Sequence, residues 1–174
     1  MNRGSDMRVF VALQPAPAFR DAMASVQDRL RAAGVTGRYL TPSNLHLTLA
    51  FIGLWPEDVT GLLPIVRRPF PITLSHVGVF PKARVLWAGV EPSEALDSVA
   101  QHVRQALSEA EIPFDRQAFN PHITLVRKPV VPEHMALSAI EIPKATMMVK
   151  EICLYRSDHQ ENGAAYTVIG RRGP

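Results

Sequence analysis

Apolar and polar positions alternate from Met7 to Leu13, a stretch rich in valine and phenylalanine, which predicts a strand. The period then lengthens. Phe19, Met23, Val26 and Leu30 fall at helical spacing between Ala18 and Ala33, and Gly34 is placed to end that helix. Leu45 to Ile52 returns to strand spacing, and Pro56 to Val66 predicts a short helix with its proline in the first turn. Two strands, Ile72 to Phe80 and Val85 to Glu91, flank Pro81-Lys82-Ala83-Arg84 as a hairpin. Ser93 is placed to cap a second long helix reaching about Glu111, with Leu96, Val99, Val103 and Leu107 on its apolar face. His122 to Val126 reads as a strand and Val130 to Ile142 as a proline-bounded irregular stretch. Met147 to Tyr155 and Ala165 to Ile169 close the chain as strands around an Asn162-Gly163 turn.

The order of these elements repeats. In each half a strand leads into a long helix and then into a strand that opens near a histidine. This predicts an α+β fold, bilobal, with two pseudo-symmetric strand–helix–strand lobes whose antiparallel sheets form a central groove. A flexible tail over residues 1–6 is expected before a single bilobal domain over residues 7–174.

The two histidine strands share a phrase. His46-Leu47-Thr48-Leu49 and His122-Ile123-Thr124-Leu125 both read H-x-T-L. Side chains alternate across a strand, so His46 and Thr48 share one face while Leu45, Leu47, Leu49 and Phe51 share the other. The leucines are expected to pack on the helix of their own lobe. His122 and Thr124 stand in the same relation to Pro121, Ile123 and Leu125. Each lobe then shows one imidazole and one hydroxyl to the groove.

That set suits phosphodiester chemistry. One neutral imidazole can take a proton from water, and one imidazolium can give a proton to the leaving oxygen. Histidine exists in both forms near neutrality because its ordinary pKa is about 6.5. Each positioned acid or base is worth roughly 10²–10⁴ in rate. The threonine hydroxyls can bind the non-bridging oxygens. The scheme requires no metal and no cofactor. His76, His102, His134 and His159 have no repeated context and are read as structural or surface residues.

Composition changes this picture little. The chain has 174 residues and a formal net charge of +3, a mild attraction for a phosphate-bearing partner. Arg67-Arg68, Arg127-Lys128 and Arg171-Arg172 are too small as clusters to argue for extended nucleic-acid binding. Cys153 is the only cysteine, which excludes an internal disulfide and a thiolate zinc cluster; a buried structural thiol is expected. The N-terminal stretch does not read as a signal peptide, and no apolar run approaches the ~20 residues of a membrane span. A cytoplasmic, monomeric protein with no membrane association and no obligate protein partner is expected.

With these residues in view, the chain resembles the two-histidine phosphoesterases, and within them the RNA 2′,3′-cyclic phosphodiesterase branch, also called bacterial 2′-5′ RNA ligase. The resemblance runs through Met7 to Ala12, Asn44 to Gly53 (NLHLTLAFIG), Val77 to Val90, Pro121 to Arg127 (PHITLVR), and Leu154 to Ser157 with Gly163 and Tyr166. It implies hydrolysis of a terminal 2′,3′-cyclic phosphate on RNA ends to a 2′-phosphomonoester, without metal or nucleotide cofactor. Reverse 2′-5′ joining is implied as a secondary activity. His46 would be the general acid and His122 the general base; pseudo-symmetry alone also permits the exchange. Thr48 and Thr124 would bind phosphate. Arg127, two residues past Leu125, is expected on the face of Thr124, where it would stabilise developing charge. Phe10 or Tyr39 is a candidate to stack on the terminal base. The family often has Trp shortly before its first motif, where this chain has Arg38-Tyr39. Two other functions stay open at this point: the same chemistry on a small substrate such as an ADP-ribose cyclic phosphate, and a non-catalytic RNA-end binding module.

Overall fold

A computed structural model describes residues 7–161 and 163–174. The expected tail over residues 1–6 and the Asn162 half of the expected turn lie outside the described residues.

The first half holds β1 (Met7–Leu13), α1 (Pro17–Ala32), β2 (Thr36–Tyr39) and β3 (Leu47–Trp55). There follow β4 (Phe70–Phe80), β5 (Val85–Val90), α2 (Glu94–Glu109), β6 (Ile123–Val130), β7 (Thr146–Val149), β8 (Ile152–Gln160) and β9 (Gly163–Arg172). Two sheets form, ordered β3-β1-β8-β9 and β2-β6-β5-β4-β7, and every pairing is antiparallel. From the motif strand outward, β3-β1-β8-β9 matches β6-β5-β4-β7. This is the expected α+β pseudo-symmetry, with β2 added outside β6.

The long helices end as their residues direct. Pro17 opens α1, where a missing N–H costs nothing. Gly34 follows it at φ +93°, a left-handed conformation that glycine adopts without a Cβ penalty. Ser93 accepts the Leu96 N–H and caps α2. The buried faces are Phe19, Met23, Val26 and Leu30 on α1, and Leu96, Ala100, Val103 and Leu107 on α2. The helix resting on each motif strand comes from the other half: α2 packs on β3, and α1 on β6. This corrects the expectation that the leucines meet the helix of their own lobe. Both sheets and both helices consequently share one apolar core.

Three other expectations are corrected. Residues 56–66 form bends and one 3₁₀ turn, Thr60–Leu62, not a helix. Val59, Leu63 and Val66 are buried at helix-like spacing, which is what the pattern detected. Pro64 forbids the helix, and Leu63 before it is extended (ψ 144°). The Asp58 carboxylate also takes the Thr60 N–H and hydroxyl, closing a local turn. Residues 147–155 are two strands in different sheets, β7 and β8, with the chain crossing at Lys150-Glu151. Strand β2 was not expected. Its residues, Thr-Gly-Arg-Tyr, are mostly exposed and carry no alternation of apolar groups.

Candidate active site

Each motif strand carries an extra residue just after its histidine motif begins, and β3 carries a second at Ile52. Across β1 and β3, Val11 pairs with Ala50 and Ala12 with Thr48, so Leu49 has no counterpart. Across β5 and β6, Leu86 pairs with Val126 and Trp87 with Thr124, so Leu125 has none. A bulge of this kind shifts the alternation by one. Leu49 and Ala50 are buried in succession, as are Leu125 and Val126. Beyond the bulge the faces exchange. Phe51, expected with the leucines, is 41% exposed and lines the groove. The spacing offered for placing Arg127 on the face of Thr124 was wrong, since strict alternation puts it with Leu125; it is the bulge that returns it to the face of Thr124, and both line the groove.

The bulges expose two carbonyls, and the helices answer them symmetrically. Leu49 O accepts Arg104 Nε from α2 at 3.1 Å. Leu125 O accepts Gln27 Nε2 from α1 at 3.0 Å, and the same amide reaches Leu40 O at 2.9 Å. Gln27 and Arg104 hold equivalent positions, each ten residues past the first residue of its helix.

Both histidines sit one residue before their strands. His46 Nδ1 lies 2.7 Å from the Asn44 carbonyl, and His122 Nδ1 lies 2.7 Å from the Asn120 carbonyl. A carbonyl only accepts, so each Nδ1 carries the hydrogen and each Nε2 is the nitrogen left to act. The groove between the lobes has a volume of about 1070 Å³. His46, Thr48, His122, Thr124 and Arg127 all line it, so the structure brings the five expected polar residues together.

The two imidazoles have different surroundings. His46 is packed against Phe10 (ring centroids 4.7 Å), Tyr166 (5.0 Å) and Tyr155 (5.7 Å). Burial pulls its pKa down to about 4; the hydrogen bond to Asn44 opposes this, and the positive charges of Arg127 and His122 add to it. His122 meets Phe80 edge-on at 5.0 Å, with Trp87 farther away at 6.4 Å.

The two aromatic candidates have different surroundings. Phe10 is buried and stacks on Tyr155 (5.0 Å, 8°) as well as touching His46, so it is the wall behind the imidazole and no open platform for a base. Tyr39 lines an adjoining pocket and not the histidine groove. Its hydroxyl donates to Val35 O, and the Arg31 guanidinium covers its ring at 4.0 Å.

Sequence reasoning missed Asn44 and Tyr166. The Asn44 amide donates to Ala164 O (2.7 Å) and its Oδ1 accepts the Tyr166 N–H (3.2 Å), which pins β9 beside His46. The Tyr166 hydroxyl accepts from Arg127 Nη2 at 3.2 Å. A signal was available: Asn precedes each motif histidine by two residues, so the repeated phrase is N-x-H-x-T-L.

This pairing of two like lobes, each presenting His and Thr to one groove, defines a two-histidine site. The family model of the 2′-5′ RNA ligase superfamily matches residues 15–161. An RNA 2′,3′-cyclic phosphodiesterase of Escherichia coli (strain K12) is 31% identical over 145 residues, covering 78% of each chain. One of Thermus thermophilus is 30% identical over 182 residues, covering 94% of this chain and 88% of the relative. Among solved structures, E. coli LigT in its apo form superposes with a TM-score of 0.79 at 25% identity, covering 97% of this chain and 98% of that one. The chain belongs to the 2′-5′ RNA ligase superfamily.

Proposed function

We propose that the protein opens a 2′,3′-cyclic phosphate at the end of an RNA to a 2′-phosphomonoester. One observation carries this reading. Two imidazoles are held by the same Nδ1–H to carbonyl bond, two residues back in each case, and both enter one groove beside a threonine. The names of the relatives, RNA 2′,3′-cyclic phosphodiesterases, support the same substrate.

In this scheme His122 Nε2 takes a proton from water. The resulting hydroxide attacks phosphorus, and the bond to the 3′ oxygen breaks. His46 Nε2–H protonates that oxygen. The Thr48 and Thr124 hydroxyls hold the non-bridging oxygens, and Arg127 balances the charge that gathers on them. In 2′-5′ joining a 5′-hydroxyl takes the place of water: His122 Nε2 takes its proton, and His46 Nε2–H again protonates the departing 3′ oxygen. The site is complete within one chain, which supports a monomer, and the buried unpaired Cys153 suits the cytoplasm. No helix among the described residues is long and apolar enough to cross a membrane.

The lowered pKa of His46 bears on the roles. A free-state imidazole at about 4 is neutral at pH 7, so as an acid it must gain its proton with the anionic phosphate. The same observation favours a second reading, in which His46 is the base and His122 the acid. A substrate with sulfur in place of the 3′ bridging oxygen separates them, because a thiolate leaves without protonation. It rescues His46→Ala in the first reading and His122→Ala in the second. The activity itself is tested by phosphorus NMR of the product formed in EDTA. A 2′-phosphate is expected; a 3′-phosphate, or dependence on added metal, overturns the reading.

A further inference from the structure

A second pocket, of about 500 Å³, adjoins the histidine groove, and Arg127 and Tyr166 line both. Its walls come from both sheets: Arg38 and Tyr39 from β2, and His159 and Tyr166 from the β8–β9 hairpin. Arg38 and Arg127 stand directly opposite each other across the antiparallel β2–β6 pair. Residues so placed share a face, and like charges there repel. No carboxylate is among the described residues lining the pocket, and no ion pair among the described residues includes either arginine. The Arg38 side chain reaches across to the other sheet, its Nη1 lying 3.4 Å from where a Cβ on Gly163 would stand. Two guanidiniums, one on the exposed Arg38 and one on Arg127, are therefore placed on one face, without a protein anion, beside the histidine groove. Such an arrangement is relieved by a bound phosphate, whose oxygens match the guanidinium fork.

We propose that this pocket binds the phosphodiester one nucleotide upstream of the cyclic phosphate, with Arg38 as its main contact and Arg127 shared between the two phosphates. The subsite rests on the phosphodiesterase reading above and extends it: the preferred substrate is a strand with at least one internal phosphodiester, not a cyclic mononucleotide. Arg38 is a specificity residue, remote from the bond that breaks.

The test uses a dinucleotide ending in a 2′,3′-cyclic phosphate, and the same dinucleotide with a neutral methylphosphonate as its internal linkage. Wild-type protein is expected to show a kcat/KM about tenfold higher on the charged linkage. Arg38→Ala should erase most of that ratio, and Arg38→Lys should restore part of it. The salt dependence of kcat/KM on the charged substrate should also weaken in Arg38→Ala, by a log–log slope of about 0.7 for one lost phosphate contact. A general structural role for Arg38 would lower both substrates alike and leave the ratio in place. Equal turnover of the two linkages by wild type, or a ratio undiminished in Arg38→Ala, overturns the subsite. Failure of wild type to turn over either substrate overturns the phosphodiesterase reading and the subsite with it.

Discussion

Replacing Gln27 by methionine tests the way the second motif strand is held. Gln27 is only 2% exposed, the one buried polar side chain among the described residues, and its amide nitrogen serves Leu40 O and Leu125 O. Methionine keeps the length and volume and removes both donors. The Leu125 carbonyl retains the Leu40 N–H at 3.0 Å, so its loss is that of one ordinary hydrogen bond, about 0.5–1.5 kcal/mol. The Leu40 carbonyl loses its amide donor in the interior, a desolvation cost of about 1–3 kcal/mol. Methionine returns part of this through apolar burial, so the net expectation is a loss of about 2 kcal/mol. Urea unfolding should show a lower midpoint with an unchanged slope. Because Leu125 follows Thr124, kcat should fall as well. Arg104→Met, the pseudo-symmetric change, should cost about 1 kcal/mol or less, since Arg104 is only partly buried and water can reach its second acceptor, the exposed Gln117 O. A Gln27→Met protein within about 0.5 kcal/mol of wild type would refute the claim that the bulge carbonyl depends on the helix.

Other consequences follow from the site. The His46 pKa is lowered on folding, so the unfolded chain binds the extra proton: the stability this group contributes is present above about pH 6.5 and is lost as pH falls towards about 4. The loss should reach about 2–3 kcal/mol in unfolding curves, and His46→Gln should flatten it. Phe10→Ala opens the wall behind His46 to water, and an NMR titration should show the imidazole pKa rising towards its ordinary value; an unmoved pKa would contradict burial as its cause. Asn44→Ala frees β9 while leaving the backbone carbonyl that orients His46, so kcat should fall by about tenfold with the His46 tautomer unchanged by nitrogen NMR. Thr48→Val and Thr124→Val should each lower kcat by roughly 10²-fold to 10³-fold, as loss of one preorganised donor to the developing charge does.

Much of the site was legible because its chemistry is written twice. The repeated His-x-Thr located the two imidazoles and two hydroxyls, and the helical stripes located both long helices. What stayed hidden depended on the other half of the molecule. The bulges at Leu49 and Leu125 leave no mark in the pattern of apolar residues, yet they turn Phe51 and Arg127 into the groove. Strand β2 owes its existence to the exposed edge of β6 and not to its own residues. The false helix over 56–66 shows the reverse case: three buried residues at helical spacing were outweighed by Pro64 and the Asp58 turn. Tyr166 could not be linked to His46 by spacing, because Asn44 ties them across 122 positions of sequence.

The central claim is that two matched imidazoles of one chain share the proton transfers. It is tested most directly by single-turnover cleavage, in EDTA, of an RNA ending in a 2′,3′-cyclic phosphate, comparing wild type with His46→Ala and His122→Ala. The account predicts a 2′-phosphate from wild type and a rate loss of roughly 10² or more in each variant. Wild-type rates in either variant would contradict it.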